Sequence, residues 1–432
     1  MKESRFKNGF KKILPALVFI FAIGCGGGKA RISVLPSIDE FQQHTNADVK
    51  IDILFVIDDS GSMKPVQDNL RDNFESFIGD FYDKGFDFRV AVAKTSAYGT
   101  ESAAQTSGGN SYYEAGRTVK YFRCGYGNNC GAGDQSYGQA CTGTYSTTPT
   151  TNGNGTPGPT TEHILSSFNN TRAEMITKFK RNADVGLCGA GDERAFQSAE
   201  SVLRAHNSSG MVTADPDLAF PRPGAHLAVI HVGDEPDGKW DSGTSSNNGL
   251  SAGSLRRGSQ NNLTDLPQAT ADPVDVDEHK SIVEAYLAAL EAHESSAEVS
   301  VHAIQNLTAS GSGGGCDPAS HIGWPQLYMA SIADGLEISI CNDFATPLGQ
   351  LSDHISSLAS SFELSEQLDP NGDDTLKVYV QGLNGNNPLP RNTTNGFQYD
   401  INTNKVTFYG SMVPPQGALI GVTYTCATLN CN

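Results

Sequence analysis

IDILFVIDDSGSM (residues 51–63) joins a nearly continuous apolar run to a cluster of small, oxygen-bearing side chains. An apolar run of this kind is typical of a central strand in a parallel sheet, where other elements cover both faces. The next segment, KPVQDNLRDNFESFIGDFYD (64–83), has apolar residues at helical spacing, and FDFRVAVAK (86–94) is a second apolar run. This β-α-β order predicts a parallel sheet whose first strand ends in a polar loop.

The same alternation continues through the middle of the chain. AHLAVIHVG (225–233), VSVHAIQNL (299–307) and LEISIC (336–341) are short apolar runs, and DEHKSIVEAYLAALEAHES (277–295) is one of the amphipathic helical segments between them. Strands that alternate with helices are typical of a doubly wound sheet with helices on both faces. We therefore predict an α/β domain with a mostly parallel sheet over residues 51–362.

Two polar stretches interrupt this pattern, near residues 96–161 and 237–272. The first is rich in Gly, Ser, Thr and Asn and is far longer than an ordinary connection between a strand and a helix. We expect both to be long surface insertions, and we expect disulfides to hold the first, which contains three cysteines. Residues 363–432 contain short strand patterns separated by turn residues, with a hairpin expected at NTNK (402–405). This last range predicts a small all-β C-terminal region.

The N-terminus has the features of a secretion signal. Basic residues precede the apolar run ILPALVFIFAIG (13–24), which is shorter than the roughly 20 residues of a membrane-spanning helix. The run ends directly before Cys25, and this pattern resembles bacterial lipoprotein signals, in which the cysteine becomes the lipidated mature N-terminus. We predict a signal peptide at 1–24, lipidation of Cys25 and a polar tether at 25–50. The alternative is an ordinary signal peptide with an incidental cysteine.

Cysteine usage also indicates export. The chain has nine cysteines, and setting Cys25 aside leaves an even number, which is typical of disulfides in an exported protein. Proximity in the chain favours two pairings and leaves the others open. Zinc is disfavoured, because the chain has no CxxC pair and its histidines do not cluster near the cysteines. The disulfide candidates are Cys426 with Cys431 and Cys316 with Cys341 as favoured pairs, and Cys124, Cys130, Cys141 and Cys188.

The charge of the chain limits the classes of partner that it can bind. The formal net charge is −18, and the first 24 residues are basic, so the remainder is more acidic still. A chain this acidic is repelled by phosphate backbones, and we expect no nucleic-acid partner. The same charge is compatible with binding of hard cations.

The polar cluster after the first strand has the composition of a cation site. Asp58, Ser60 and Ser62 alternate along the chain where the strand ends, at the carboxyl edge of the predicted sheet, where ligands bind in open α/β sheets. A carboxylate and two hydroxyls form an all-oxygen set that suits Mg²⁺, Ca²⁺ or Mn²⁺. The alternative is a turn closed by Asp and Ser side chains.

DDSGSM (58–63) after an apolar strand resembles the DxSxS motif of von Willebrand factor type A domains, where it opens the metal-ion-dependent adhesion site. The resemblance implies further ligands from two later loops. LAVIHVGDEPD (227–237) places Asp234 at the position of the family's last aspartate. The middle loop usually supplies a threonine, but the matching GLCGAGDERA (186–195) has none. Asp192, Glu193 or a water molecule could supply the metal ligand in place of this threonine.

The resemblance implies a metal-dependent adhesion protein that captures an Asp or Glu carboxylate of a protein partner. With Cys25 lipidated, the chain would be anchored in the bacterial cell envelope, at the outer membrane or the cell surface. A scaffolding envelope lipoprotein with a degenerate metal site is the alternative. A metal-assisted hydrolase ranks below both, because GxSxG, HExxH and P-loop motifs are absent from the sequence, and we expect the protein not to be an enzyme.

Overall fold

A computed structural model gives the architecture of the chain. It describes residues 40–59, 62–95, 106–107, 110–111, 164–185, 195–208, 220–234, 237, 273–293, 298–307, 323–369 and 375–425.

Helices and strands alternate in the first part of this structure, and short strands dominate the last part. The helices in the described ranges are α1 (Lys64–Asp83), α2 (Arg172–Asn182), α3 (Ala195–Ser208), α4 (Pro273–His293), α5 (Trp324–Ile332) and α6 (Ala345–Ala359). The strands are β1 (Glu40–Asn46), β2 (Lys50–Ile57), β3 (Asp87–Lys94), β4 (Thr106–Ser107), β5 (Asn110–Ser111), β6 (Ile164–Ser166), β7 (His226–Val232), β8 (Val299–Gln305), β9 (Glu337–Ser339), β10 (Phe362–Glu363), β11 (Lys377–Val380), β12 (Gly396–Asp400), β13 (Lys405–Tyr409) and β14 (Leu419–Thr425).

The main sheet has six strands in the order β6-β3-β2-β7-β8-β9. β2 lies at its centre and pairs in parallel with β3 on one side and β7 on the other. β8 and β9 continue the parallel order beyond β7. Because these five strands are parallel, their carboxyl ends all lie at one edge of the sheet, here called the carboxyl edge, and their amino ends lie at the other, the amino edge.

The predicted fold class needs correction. The main sheet is mixed, because β6 pairs antiparallel to β3. Three smaller antiparallel sheets are separate from it: β4 with β5, β1-β14-β11 and β10-β13-β12. The prediction of a mostly parallel, doubly wound sheet missed β6 because three residues are too few to show a strand pattern. An edge strand has a partner on one side alone, so its direction is not set by the parallel order of the others.

The disulfide-held insertions that formed part of the predicted fold class are not seen in the described ranges, which include only residues 106–107 and 110–111 of the first and Asp237 of the second. No disulfide joins two residues within the described ranges. Cys341 is the one candidate cysteine that lies in them, and it is disulfide-bonded. The other seven candidates, and Cys25, lie outside the described residues.

Side chains of β2 point alternately into two hydrophobic clusters on the two faces of the sheet. Ile53, Phe55 and Ile57 pack with α1, α2 and α6 on one face. Leu54 and Val56 pack with α3, α4 and α5 on the other. Since β2 is covered on both sides, its nearly continuous apolar sequence follows from its place in the sheet.

The C-terminal strands share the first of these two clusters. Val378, Phe408 and Ile420 belong to the same continuous core as Phe55. β1 completes this layer by pairing antiparallel with β14 along its full length, although it lies in the range 25–50 that we expected to be tether. The hairpin predicted at 402–405 is confirmed by the antiparallel pairing of β12 with β13.

Polar side chains are buried at the amino edge. Asp52 in β2 accepts hydrogen bonds from the backbone N–H (2.5 Å) and the Nε (2.9 Å) of Arg222. On the face toward α6, the Ser300 hydroxyl lies 2.8 Å from His226 Nε2 and 2.9 Å from His302 Nε2. His302 Nδ1 accepts the backbone N–H of Leu336 at 3.0 Å. These buried groups are therefore joined into hydrogen-bonded sets.

Candidate metal centre

The predicted metal ligands lie on loops that leave the carboxyl edge next to one another. Asp58 follows β2 and Asp234 follows β7, and these two strands are neighbours. The backbone N–H of Asp58 donates to the carbonyl oxygen of Val232 at 2.8 Å, so the parallel pairing extends to Asp58 itself. The first turn after β2 and the first turn after β7 therefore start side by side.

Gly233 brings the two loops into contact. A Cβ added to Gly233 would lie 3.4 Å from the Asp58 carboxylate oxygen Oδ2, so the Asp58 side chain packs against the residue directly before Asp234. Gln305, at the end of β8, holds Gly233 from the other side. With its amide oriented to satisfy both groups, Gln305 donates to the Gly233 carbonyl oxygen (2.9 Å) and accepts the Gly233 N–H (3.3 Å).

Asp234 has a side-chain oxygen that no described residue satisfies. Its side chain is buried, and Oδ1 has no hydrogen-bond partner among the described residues. A buried carboxylate oxygen without a donor is costly, and such a group in a native structure calls for a partner such as a cation or a water molecule. This oxygen is the feature of the described structure that best indicates a bound cation.

Asp59, next to Asp58, has its charge balanced by the protein. Lys94 Nζ lies 3.5 Å from Asp59 Oδ2, and both side chains are almost fully buried. The Thr95 hydroxyl donates to Asp59 Oδ1 at 3.1 Å. These contacts tie the end of β3 to the end of β2, and they make Asp59 a poor candidate for a metal ligand.

The start of α3 is fastened to the same edge. Asp237 Oδ2 accepts the backbone N–H of Phe196, in the first turn of α3, at 2.7 Å. The backbone N–H of Asp237 donates in turn to Gln326 Oε1 in α5 at 3.1 Å. One turn into α3, the Ser198 hydroxyl donates to the carbonyl oxygen of Thr95 at 2.7 Å. Through α3 the loops after β3 and β7 are connected by buried hydrogen bonds.

The helix that follows the first loop supports Asp58. Gln67 in α1 is buried, and its Nε2 donates to the Asp58 carbonyl oxygen at 2.8 Å. Ser62 lies in the turn before α1 and is exposed. Ser60, Asp192 and Glu193 lie outside the described residues, so their roles as ligands stay predictions.

The described part of the chain contains no group of three or more His, Cys, Asp or Glu side chains placed to hold a metal ion. A site built from two carboxylates and hydroxyls does not contain such a group, because serine supplies the remaining oxygens. Asp58 and Asp234 alone are thus a partial ligand set.

Sequence reasoning missed Asp59, Asp237 and Gln305. Each of them positions another residue of this edge. Asp59 and Asp237 follow the two apolar runs that end before the predicted ligands Asp58 and Asp234. This closeness to the predicted ligands is the sequence signal that could have identified them. Gln305 has no such signal.

Comparison with known proteins gives weak similarities. No family model matches the chain, and no curated protein matches it. Among solved structures, the pilus adhesin SpaC from Lactobacillus rhamnosus GG in its open conformation has a TM-score of 0.33 and 14% sequence identity, over 89% of this chain and 40% of that one. The pilus adhesin RrgA from Streptococcus pneumoniae has a TM-score of 0.30 and 10% identity, over 89% of this chain and 58% of that one.

The adhesive tip pilin GBS104 from Group B Streptococcus agalactiae has a TM-score of 0.27 and 9% identity, over 91% of this chain and 83% of that one. The chain thus spans only 40% of the SpaC structure. These neighbours are bacterial pilus adhesins, but TM-scores this low carry no argument about the fold or function of this chain.

Membrane attachment through a helix is not seen in the described ranges. None of the helices there is both long enough and apolar enough to cross a bilayer.

Proposed function

We propose that this chain is a protein of the bacterial cell envelope that binds a divalent cation at the carboxyl edge and thereby captures a carboxylate of a partner protein. The observation that carries the proposal is the contact between Asp58 and Gly233, which sets Asp58 beside Asp234. The Asp234 oxygen that has no hydrogen-bond partner in the described part of the chain supports it. The adhesion role, the metal and the lipid anchor at Cys25 are all parts of this proposal.

The residues present fit a hard cation. Asp58 and Asp234 would bind it, and the further oxygen donors would be Ser60, Ser62 and either Asp192 or Glu193. Such oxygen ligands are preferred by Mg²⁺ and Ca²⁺, and Mn²⁺ is a further candidate. When bound, the cation supplies an open coordination position for an acidic side chain. Because Lys94 already balances Asp59, Asp59 repels that incoming carboxylate less than an unpaired aspartate would.

The resemblance of residues 58–63 to the first loop of the metal-ion-dependent adhesion site agrees with this chemistry, and we propose that the resemblance reflects the same use of a cation. A binding role is favoured over catalysis, because the edge offers no nucleophile with an adjacent base among the described residues.

Calorimetry with Mg²⁺, Ca²⁺ and Mn²⁺ on the full chain tests the proposal. Asp58→Ala and Asp234→Asn are each expected to weaken binding by more than about tenfold, because each removes one charged ligand. Asp68→Asn is the control, since Asp68 lies on the exposed side of α1 and is paired with Lys64 and Arg71. Wild-type affinity in both ligand variants would place the cation elsewhere.

A scaffolding protein with a degenerate site is the second candidate. It is favoured by the missing threonine of the middle loop. It predicts no heat of binding for any of the three cations with the wild-type chain, and the same unfolding temperature with and without EDTA.

A further inference from the structure

Large apolar side chains that reach the solvent are unevenly distributed along the main sheet. Four of the five found in the described ranges lie on elements at the amino edge, and one, Leu307, follows β8 at the carboxyl edge. The five, with their exposed fractions, are Phe168 (91%), Leu419 (46%), Ile401 (41%), Ile332 (38%) and Leu307 (37%).

Phe168 is the most exposed of them, and neighbouring contacts place it at the amino edge. It lies in the turn after β6, which runs antiparallel to β3 and so ends near the start of β3. The backbone N–H of Ser167 donates to the carbonyl oxygen of Phe88 at 2.9 Å. Ile332, at the end of α5, is placed at the same edge by the 3.2 Å bond from Val301 N to the Ala333 carbonyl oxygen.

The other two lie in the C-terminal layer, which covers the amino edge. Ile401 is in the β12–β13 turn, close to Lys405, which forms an ion pair with Glu298 just before β8. Leu419 begins β14 beside Ala418, whose carbonyl oxygen accepts the Ala47 N–H at 2.9 Å, three residues before β2.

Five basic side chains near the amino edge each lie within ion-pair distance of a carboxylate. The pairs are Lys50–Asp48 (3.3 Å), Arg172–Asp83 (3.5 Å), Arg222–Asp87 (2.6 Å), Lys84–Asp80 and Lys405–Glu298. Although the whole chain is strongly acidic, these basic groups reduce the net charge that this end would present to an uncharged surface.

The described structure begins at Glu40, in the C-terminal layer. β1 begins at Glu40 and pairs with β14, so its whole length lies in the C-terminal layer. Fifteen residues separate Glu40 from Cys25, and an extended segment of that length reaches at most about 50 Å. A lipid at Cys25 would therefore keep the molecule at the membrane, and it is the exposed apolar side chains that favour the amino edge as the one facing the bilayer.

We propose that the amino end faces the lipid bilayer, with Phe168 inserted among zwitterionic headgroups. This inference rests on the proposed lipid anchor, but it does not depend on the metal. An exposed aromatic ring is stabilised at the interface between headgroups and acyl chains. β2 separates the two edges by roughly 25 Å, so this orientation points the candidate metal centre away from the membrane, toward a partner.

Quenching by brominated lipid tests the orientation. The full lipidated chain carrying Phe168→Trp is reconstituted in phosphatidylcholine vesicles with bromine on the upper acyl carbons, and its emission is corrected for that of the parent protein. Leu307→Trp is the matched control, because it places the same ring at the opposite edge. The F168W indole is expected to be quenched about twofold more than the L307W indole, as an interfacial ring would be.

Three further results decide the outcome. Equal quenching of the two variants, or stronger quenching of L307W, overturns the proposal. Failure of the wild-type chain to sediment with vesicles better than Cys25→Ala overturns it as well, since no anchor then brings the amino end to the bilayer. Addition of EDTA is expected to leave F168W quenching unchanged, so a failure of metal binding and a failure of membrane contact are read separately.

Discussion

Gly335 lies in the turn between α5 and β9, where its α-carbon meets the backbone of β8. A Cβ on Gly335 would lie 1.7 Å from the carbonyl oxygen of Val301. Val301 is held in place, because its own N–H is bonded to the Ala333 carbonyl oxygen. Gly349, within α6, offers a contrast: a Cβ there would approach no atom more closely than the Ser76 carbonyl oxygen at 3.9 Å. One methyl group should therefore have opposite effects at these two glycines.

Gly335→Ala is expected to lower the free energy of unfolding by about 3 kcal/mol, because the strand or the turn must move to make room. Gly349→Ala is expected to raise it by up to about 1 kcal/mol, because alanine favours a helix more than glycine does. Urea denaturation followed by circular dichroism measures both. Equal midpoints for the two variants would show that the turn at Gly335 can relax freely.

α3 is the element that links the loops of the carboxyl edge. Its first turn donates to Asp237 and its second contacts the carbonyl oxygen of Thr95 through Ser198. Asp237 acts on α3 as a capping residue would, although it comes from a loop beyond the helix. If the metal centre needs these loops held in place, loosening the start of α3 will weaken metal binding as well as stability.

Asp237→Ala is expected to cost about 1 kcal/mol of stability, the usual value of a helix cap, and to weaken Mg²⁺ binding severalfold. Asp237→Asn should restore most of both, because its side-chain oxygen still accepts the Phe196 N–H. Thr171→Ala is the matched control. It removes the cap of α2, where the Thr171 hydroxyl accepts the Glu174 N–H. Calorimetry and urea denaturation give the two readouts, and equal metal affinities for the two alanine variants would argue against a positioning role of Asp237.

The molecule as a whole buries three histidines in its main sheet. Burial lowers the pKa of His231 to about 3, and burial together with the nearby His354 and Lys405 lowers the pKa of His226 to about 3. Burial, aided by His354, lowers the pKa of His302 well below its ordinary value. All three are therefore neutral in the folded chain at neutral pH, whereas in the unfolded chain they take up a proton below about pH 6.5.

The unfolded chain thus binds more protons than the folded chain between about pH 6.5 and pH 3, and stability falls as pH falls through that window. At pH 5 we expect a loss of about 2 kcal/mol for each buried histidine relative to pH 7.5. His231→Leu should reduce the loss of stability between pH 7.5 and pH 5 by the contribution of one histidine. Leucine should be tolerated there, because His231 has no hydrogen-bond partner among the described residues and its ring packs on Phe196.

Urea denaturation of wild type and His231→Leu at pH 7.5 and pH 5, in EDTA so that metal release does not contribute, measures this difference. An identical loss of stability in the two proteins would mean that His231 is protonated in the folded state.

Much of the main sheet was predictable from sequence because its pattern is local. β2, β7 and β8 are apolar runs covered on both faces, and α1 carries its apolar residues at helical spacing, so these elements lie where the pattern predicts them. β6 and β1 were missed for different reasons. β6 is too short to show a pattern, and the polar sequence of β1 forms a strand because the edge of β14 supplies backbone partners.

By itself, the sequence determined that Asp58 and Asp234 follow buried strands, since the run of apolar residues before each of them is enough to define a strand. Only the tertiary structure decided that Gly233 packs on the Asp58 carboxylate, that Lys94 and Thr95 balance Asp59, and that Asp237 fastens α3. These contacts join segments far apart in the chain. They exist because β3, β2 and β7 lie side by side and in parallel, and neighbour order in a sheet is set by the packing of whole elements and not by any local pattern.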